Sequence, residues 1–433
     1  MSYLFSANGE AILVDPQRDI DRFIAAAEDI HTRISWVVET HVHNDYVSGA
    51  RAVARKLGAE LLLPAGAGVA FDHVPAFHLE DIALGSTVIR PIHTPGHTPE
   101  HVSYLILTED LPRVVFTGGS LLAGSVGRTD LIGPAQTRQL ARLQIASVRR
   151  LATLPSSVAV YPTHGRGSFC VTNSARGITS TIGEELSHNG ALAPRPVDDL
   201  VDGMLAGLSP YPVYYGQMGR INRLQQSDFP DTSPPRLGAA ALEAIRELAV
   251  VDTRPRRRFA SGHVPGSLNI ELGDSFATWV GWLLPFNSEI ALIVEDAAVR
   301  ESIVSLARIG FDRVIGVVPD LSFQEGIALV STPTVSASQL GEAIVSGQAR
   351  QVLDVRSPGE RTSSALPGSI HIYLPDLADR ALAEMDQNET VWVACATGFR
   401  AAAATGILEH LGFDVVMTID GGIQDLAGLV VPH

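Results

Sequence analysis

Cysteine is nearly missing from this chain: Cys170 and Cys395 are the two in 433 residues. They lie far apart in sequence, which excludes a disulfide framework, so any thiol chemistry belongs to one cysteine at a time. Positive charge is also short, with 32 Lys and Arg against 47 Asp and Glu and a formal net charge of −15. That balance excludes nucleic acid and anionic membrane as main partners, because either needs a basic face, and it leaves small polar substrates open. No apolar run approaches the ~20 residues of a membrane span. Residues 1–10 lack the basic start and apolar core of a signal peptide, so a cytoplasmic location is expected.

What is present describes a globular protein with ample apolar surface to bury: 45% hydrophobic and 18% charged residues. The chain is too long for one core, and about three domains of roughly 150 residues are expected. Its chemistry gathers first in residues 40–49, Thr-His-Val-His-Asn-Asp-Tyr-Val-Ser-Gly. His41 and His43 follow the apolar residues Ile34, Trp36, Val37 and Val38 and so project from a loop just past a strand. Imidazoles placed there can converge on a metal, and Asp45 adds an oxygen ligand. Thr94-Pro-Gly-His97-Thr-Pro-Glu-His101, Phe116-Thr-Gly-Gly-Ser120 and Tyr161-Pro-Thr-His164-Gly each follow a further β-branched or aromatic run.

Residues 11–16 read as a buried strand, and the spacing of Ile20, Phe23, Ile24, Ala27 and Ile30 predicts a helix over 19–31. A strand at 35–39, a helix at 48–58 ending on Gly58 and a strand at 60–64 follow. Alternation of strand and helix is expected to continue to His97. Beyond His101 come strands at 102–108 and 113–117, a helix at 136–151 and a strand at 158–162. This order suits two sheets with helices on both outer faces and the histidine loops at one edge.

Four strand-end loops carrying His, His, a glycine turn and His, in that order, resemble the metallo-β-lactamase fold in its glyoxalase II and persulfide dioxygenase branch. The resemblance implies an α/β fold, an αββα sandwich over residues 1–208, with a metal centre drawn from His41, His43, His97, Asp45 and His164. Its cofactor would be Fe²⁺, or alternatively Zn²⁺. Family members carry an Asp where this chain has Gly119 and a His where it has Tyr46. The carboxylate that bridges two metals in the hydrolases, or completes the iron site of the dioxygenases, is therefore gone. Of that iron site only His41 and His97 survive by position. A mononuclear site is expected, with His43 completing a three-imidazole face and with Asp45 and His164 as its supports or as a weak second site. His101 is read as a turn or supporting residue, His73, His78 and His93 as ordinary polar residues, and Cys170 as structural.

Residues 209–236, rich in Pro and aromatics, read as a connector packed over the first domain. Beyond it the sequence repeats. Val251-Asp-Thr-Arg-Pro and Val264-Pro-Gly-Ser-Leu-Asn-Ile270 answer Leu353-Asp-Val-Arg-Ser and Leu366-Pro-Gly-Ser-Ile-His-Ile372 at an offset of 102. The two modules, 237–331 and 332–433, are expected to be α/β units with parallel sheets. The Asp-x-Arg, the Pro-Gly-Ser segments and Asp420-Gly-Gly-Ile423 make them resemble rhodanese domains. The whole chain then resembles the fused persulfide dioxygenase–rhodanese enzymes.

In the last module, Val391-Trp-Val-Ala-Cys395-Ala-Thr-Gly-Phe-Arg400 runs from a strand into an alanine-rich helical stretch. Inward backbone N–H groups and the helix's positive end stabilise a thiolate there. Cys395 and Arg400 are the expected catalytic residues, Arg400 pairing with the anionic end of a sulfur donor, and Ala396, Thr397, Gly398 and Phe399 form the binding loop. The middle module has Glu295-Asp-Ala-Ala-Val-Arg300 at this place, without sulfur, so that copy should be inactive. The basic run Arg254–Arg258 is most simply a solvated face.

The resemblance implies metal-dependent oxidation of a low-molecular-weight thiol persulfide to sulfite, with sulfane-sulfur transfer at Cys395 from persulfide or thiosulfate. Two alternatives stand: a thioester hydrolase of the glyoxalase II type, or a sulfurtransferase whose first domain is a non-catalytic scaffold. A homodimer is a weaker expectation, from the resemblance alone.

Overall fold

The run Ala11-Ile-Leu-Val14 is buried at every position, as expected for a strand covered on both faces of a parallel sheet. The computed structural model describes residues 1–165, 169–170, 177–224, 229–238, 241–242, 249–319 and 328–431. Two compact units emerge, Met1–Phe229 with Ala307–Gly310, and Pro230–Leu306 with Phe311–His433.

The first unit holds two sheets. One is built from β1 (Tyr3–Ala7), β2 (Glu10–Val14), β3 (Arg33–Val38), β4 (Glu60–Pro64) and β5 (Val74–Ala76), in that spatial order. The β1–β2 pair is antiparallel and the rest are parallel. The other comprises β6 (Ile82–Leu84), β7 (Thr87–His93), β8 (Val102–Thr108), β9 (Leu111–Gly118), β12 (Ala159–Pro162) and β13 (Ser180–Thr181), ordered β13-β12-β9-β8-β7-β6. Between β9 and β12 sits the small hairpin β10 (Leu121–Leu122) and β11 (Ser125–Val126).

Alternate side chains split each strand between two cores. Ile12, Val14, Val38 and Leu62 meet Ile89, Tyr104, Ile106 and Phe116 between the sheets. Leu13, Val37 and Leu63 face outward against Ala27, Ala50 and Val53 of the helices Asp21–Asp29 and Ala50–Leu57. On the opposite face Leu105, Val115 and Val160 meet Ile145 and Val148 of Pro134–Leu151 and Val201 of Val197–Ala206. The arrangement is the expected αββα sandwich. Between 65 and 97 the expected alternation fails: β5, β6 and β7 follow one another without a helix. There β6 and β7 form a hairpin whose partner strand buries their apolar residues. The segment read as a connector is not all linker, since Tyr215–Arg223 is a helix belonging to the first unit.

In the second unit, β14 (Ala249–Asp252), β15 (Leu268–Asn269), β16 (Ile290–Ile293) and β17 (Val314–Val318) form a parallel sheet ordered β15-β14-β16-β17. β18 (Thr334–Ser336), β19 (Gln351–Asp354), β20 (Ile370–His371), β21 (Val391–Ala394) and β22 (Val415–Asp420) form another, ordered β18-β22-β21-β19-β20 and also parallel. The repeat survives as geometry: Asp252 pairs with Asn269 as Asp354 pairs with His371. The Asp252–Arg254 and Asp354–Arg356 ion pairs recur in the same form. The helix Phe399–His410 is buried on several sides, by Ala401 to Thr405, Gly406 and Leu408. A Cβ at Gly406 would lie 2.1 Å from the Ser267 carbonyl oxygen of the middle module. Small residues there permit close packing against a neighbouring module, beyond their helix propensity.

Candidate metal and thiol sites

The ends of β3, β7 and β12 deliver His41, His97 and His164 to one point, where one ring nitrogen from each lies within 4.8 Å of the others. All three rings are buried, and their Nε2 atoms have no hydrogen-bond partner among the described residues. Their Nδ1 sides are held. Thr40 Oγ1 donates to Asp15 at 2.8 Å, so it accepts from His41 Nδ1–H, also at 2.8 Å. His97 Nδ1–H donates to the Arg128 carbonyl at 2.7 Å. Asp45 lies 3.3 Å from His164 Nδ1. Each arrangement leaves an Nε2 lone pair facing the common point, as metal ligation requires.

Electrostatics favours neutral rings at two of the three. Burial first, then the crowd of neighbouring imidazoles, pushes His41 well below its usual range. Burial and His164 bring His97 down to about 3. For His164 burial acts the same way, but Cys170 and Asp45 prevail and lift it to about 10. A cation arriving there must displace that proton. Converging orphan imidazole nitrogens therefore fit a mononuclear ion, with Zn²⁺ or Fe²⁺ compatible with such donors.

His43 departs from expectation. Its Nε2 is 3.2 Å from Asp15 and 2.9 Å from the Tyr46 hydroxyl, which itself donates to the Asp15 carbonyl. Burial disfavours its charge, but Asp15 outweighs this and His43 is raised overall. Its remaining nitrogen, Nδ1, groups with Asp45 and His164 instead. His164, placed by sequence among the supports, thus takes the third position beside His41 and His97, and Tyr46 diverts His43 by stacking on it at 4.3 Å.

Gly119 is no empty place. A Cβ there would lie 2.2 Å from His97 Cδ2, so the ring occupies the space a side chain would need. His101 is fully buried, accepts from Gly119 N–H at 3.0 Å, contacts Thr94 at 2.9 Å and stacks on His41. It supports the site with both nitrogens engaged. Four supports escaped the sequence reading. Gln144 accepts from His97 N–H at 2.9 Å and donates to the carbonyls of Gly119 and Ser120. Asn222 holds the carbonyls of His43 and Tyr46. Asp15 and Arg128 complete the set. Periodicity marked the segments of Asp15 and Gln144 as strand and helix but could not flag one polar residue aimed inward, while Asn222 fell in the segment read as a connector and Arg128 in no expected element. Cys170, read as structural, touches His164 and lies 3.8 Å from the Tyr215 hydroxyl. His93 bonds the Pro99 carbonyl and His73 that of Phe71, as ordinary polar residues do.

In the second unit Cys395 follows β21 directly and is buried. Gly398 N–H donates to its Sγ at 3.1 Å, at the start of helix Phe399–His410. Gly398 has φ +87°, and a Cβ would meet Ile419 at 2.8 Å, so glycine is demanded twice. The loop is tied from behind by Ile423 N–H to the Cys395 carbonyl and Gln424 to that of Ala396. Thr397 is exposed, while Ala396 and Phe399 are half-buried. Arg400 is not the free cation expected: Glu360 takes both its terminal nitrogens, at 2.6 and 2.7 Å. Burial pushes Glu360 up, yet Arg400 and Ser357 outweigh it and hold it at about 2. In the middle module Glu295 pairs with Arg258, and Arg257 of the basic run reaches Asp420, so part of that run is paired as well as solvated.

Residues 1–164 match the metallo-beta-lactamase superfamily, and residues 336–428 match the rhodanese-like domain. Among curated relatives, a hydroxyacylglutathione hydrolase of Anaeromyxobacter dehalogenans is 30% identical over 60% of this chain and 92% of its own length. The human mitochondrial persulfide dioxygenase ETHE1 is 29% identical over 42% of this chain and 66% of its own. Among solved structures, one described as a metallo-beta-lactamase from Staphylococcus aureus superposes with a TM-score of 0.66 at 27% identity. It covers 73% of this chain and 98% of that one.

Proposed function

Because the chain belongs to the metallo-beta-lactamase superfamily and carries a rhodanese-like domain at residues 336–428, we propose that it is a sulfur-metabolism enzyme with two chemistries. The first is oxidation of a low-molecular-weight thiol persulfide, in which one persulfide, one O₂ and one water give the thiol, sulfite and two protons. The second is sulfane-sulfur transfer at Cys395. The observation that carries the reading is the pairing in one chain of three orphan imidazole nitrogens with a buried cysteine whose sulfur accepts the Gly398 N–H at the start of a helix.

His41, His97 and His164 would hold the metal, which when bound supplies the redox chemistry for O₂ if it is Fe²⁺ or Lewis acidity if it is Zn²⁺. Asp15 through Thr40 and the Arg128 carbonyl keep the Nδ1 protons of His41 and His97 in place, leaving Nε2 lone pairs inward. Buried walls exclude bulk water, which strengthens every charge interaction inside. At Cys395, the thiolate attacks the outer sulfur of the donor. The donor's S–S bond breaks, the carrier leaves as a thiolate, and the cysteine keeps the sulfur as a persulfide. Gly398 N–H stabilises the thiolate before attack.

Oxygen uptake and sulfite release with glutathione persulfide, after anaerobic loading with Fe²⁺, test the first chemistry. Absence of uptake by iron-replete protein rules it out. Cys395→Ser should leave uptake unchanged while abolishing sulfur transfer. A second reading, thioester hydrolysis by Zn²⁺-activated water, draws on the converging nitrogens of His41, His97 and His164 and the hydroxyacylglutathione hydrolase match. Turnover of S-lactoylglutathione with zinc but not iron would favour it.

A further inference from the structure

The module without a cysteine is fastened to the one that has it. His263 of the middle module lies 2.7 Å from Glu409 on helix Phe399–His410, and Gly406 of that helix admits the Ser267 carbonyl. From this base the middle module's helix Phe276–Leu283 reaches the Cys395 loop. Trp279 sits with its ring centroid 6.4 Å from Phe399, and Trp282 packs edge-on to Tyr373 at 5.7 Å. Cys395 and Ala260 share one apolar cluster, against which Trp279 and Leu283 pack. Trp279 and Phe399 are both half-buried, so each keeps part of its ring open.

Charge at this mouth is largely cancelled. Arg400 is paired with Glu360, and Arg257 with Asp420. Apolar contact is then the stronger means of telling one sulfur donor from another, and aromatic faces give it both area and geometry.

Resting on the sulfur-transfer reading of Cys395, we propose that Trp279 is a specificity-determining residue of that site, supplied by the inactive module. It offers a face to the organic group of the sulfur donor. The site is composite, and it selects donors carrying an apolar or aromatic group next to the sulfur pair over those that lack one. The reaction is the same for either donor: Cys395 thiolate takes the outer sulfur of a thiosulfonate, the S–S bond breaks, and the sulfinate leaves with the bonding electrons.

Two donors with one charge and one reacting group separate the effect, benzenethiosulfonate and methanethiosulfonate, each assayed on the full chain with cyanide as acceptor. Trp279→Ala should raise KM for benzenethiosulfonate about tenfold and leave kcat, with methanethiosulfonate changed less than about twofold, from ring-contact energies of this order. Trp279→Leu, which keeps apolar volume and so guards the fold, should lower the ratio of the two specificities about fivefold, and Trp279→Phe should retain most of it. Equal losses for both donors, or none, overturn the proposal. Cys395→Ser is the control for the underlying reading. If it still transfers sulfur, that reading falls and takes this one with it. If it is dead while the Trp279 variants keep wild-type selectivity, only the composite site is wrong.

Discussion

Restoring the family's missing carboxylate with Gly119→Asp should damage the metal site. A Cβ at residue 119 would lie 2.2 Å from His97 Cδ2, 2.6 Å from Cγ and 2.7 Å from Nε2, where ordinary contact begins at 3.4 Å. His97 cannot yield easily, because its Nδ1 is bonded to the Arg128 carbonyl and its backbone N–H to Gln144. Overpacking of this kind costs about 1–3 kcal/mol. If the ring swings out instead, it gives up a hydrogen bond of about 1 kcal/mol and leaves a buried carbonyl bare. Either way the first unit should lose roughly 2–3 kcal/mol, lowering its Tm by about 4–12 °C. Metal affinity should fall by about 10–100-fold, as when a ligand's support is removed. Calorimetry of the metal-free protein reads the first effect and metal titration followed by elemental analysis the second. A variant that melts like the wild type and binds metal more tightly would refute the placement of His97 against Gly119.

His43 and His164 should behave differently. His164→Ala should abolish stoichiometric metal, whereas His43→Asn should keep it but cost about 3 kcal/mol in denaturant unfolding, because Asp15 is left as a buried charge. Gln144→Ala, which removes the support of His97 and Gly119, should weaken metal binding about tenfold in chelator competition. Glu360 is held at about 2, so its pairing with Arg400 stabilises the fold above the ordinary carboxylate range and fades as pH falls toward 2. With Glu360 38% exposed, Glu360→Gln should cost ~0.5–1 kcal/mol at pH 7. Urea melts should show that difference shrinking below about pH 4.

Much of this protein is local in origin and was therefore legible. The αββα order followed from apolar runs and helical spacing, and the 102-residue repeat returned as two sheets with matching register at Asp252 and Asp354. The histidine loops and the Cys395 loop were readable because each is a short segment at a strand end, with its chemistry carried in consecutive residues. Sequence failed where a partner lies far along the chain. It placed His43 rather than His164 beside His41 and His97, because the pull of Asp15 and Tyr46 on His43 is a three-dimensional fact. It left Arg400 free, although Glu360 lies 40 residues upstream. It also gave 65–97 a helix that the β6–β7 pairing overrides.

Residue types and their spacing determined by themselves most of the elements and which loops carry imidazole and thiol, since periodicity and turn chemistry act over a few residues. Which nitrogens remain unpaired, which charges cancel and which module walls the thiol were decided only by tertiary structure. Those depend on distances between groups as far apart in sequence as Asp15 and Thr163, or Trp279 and Phe399.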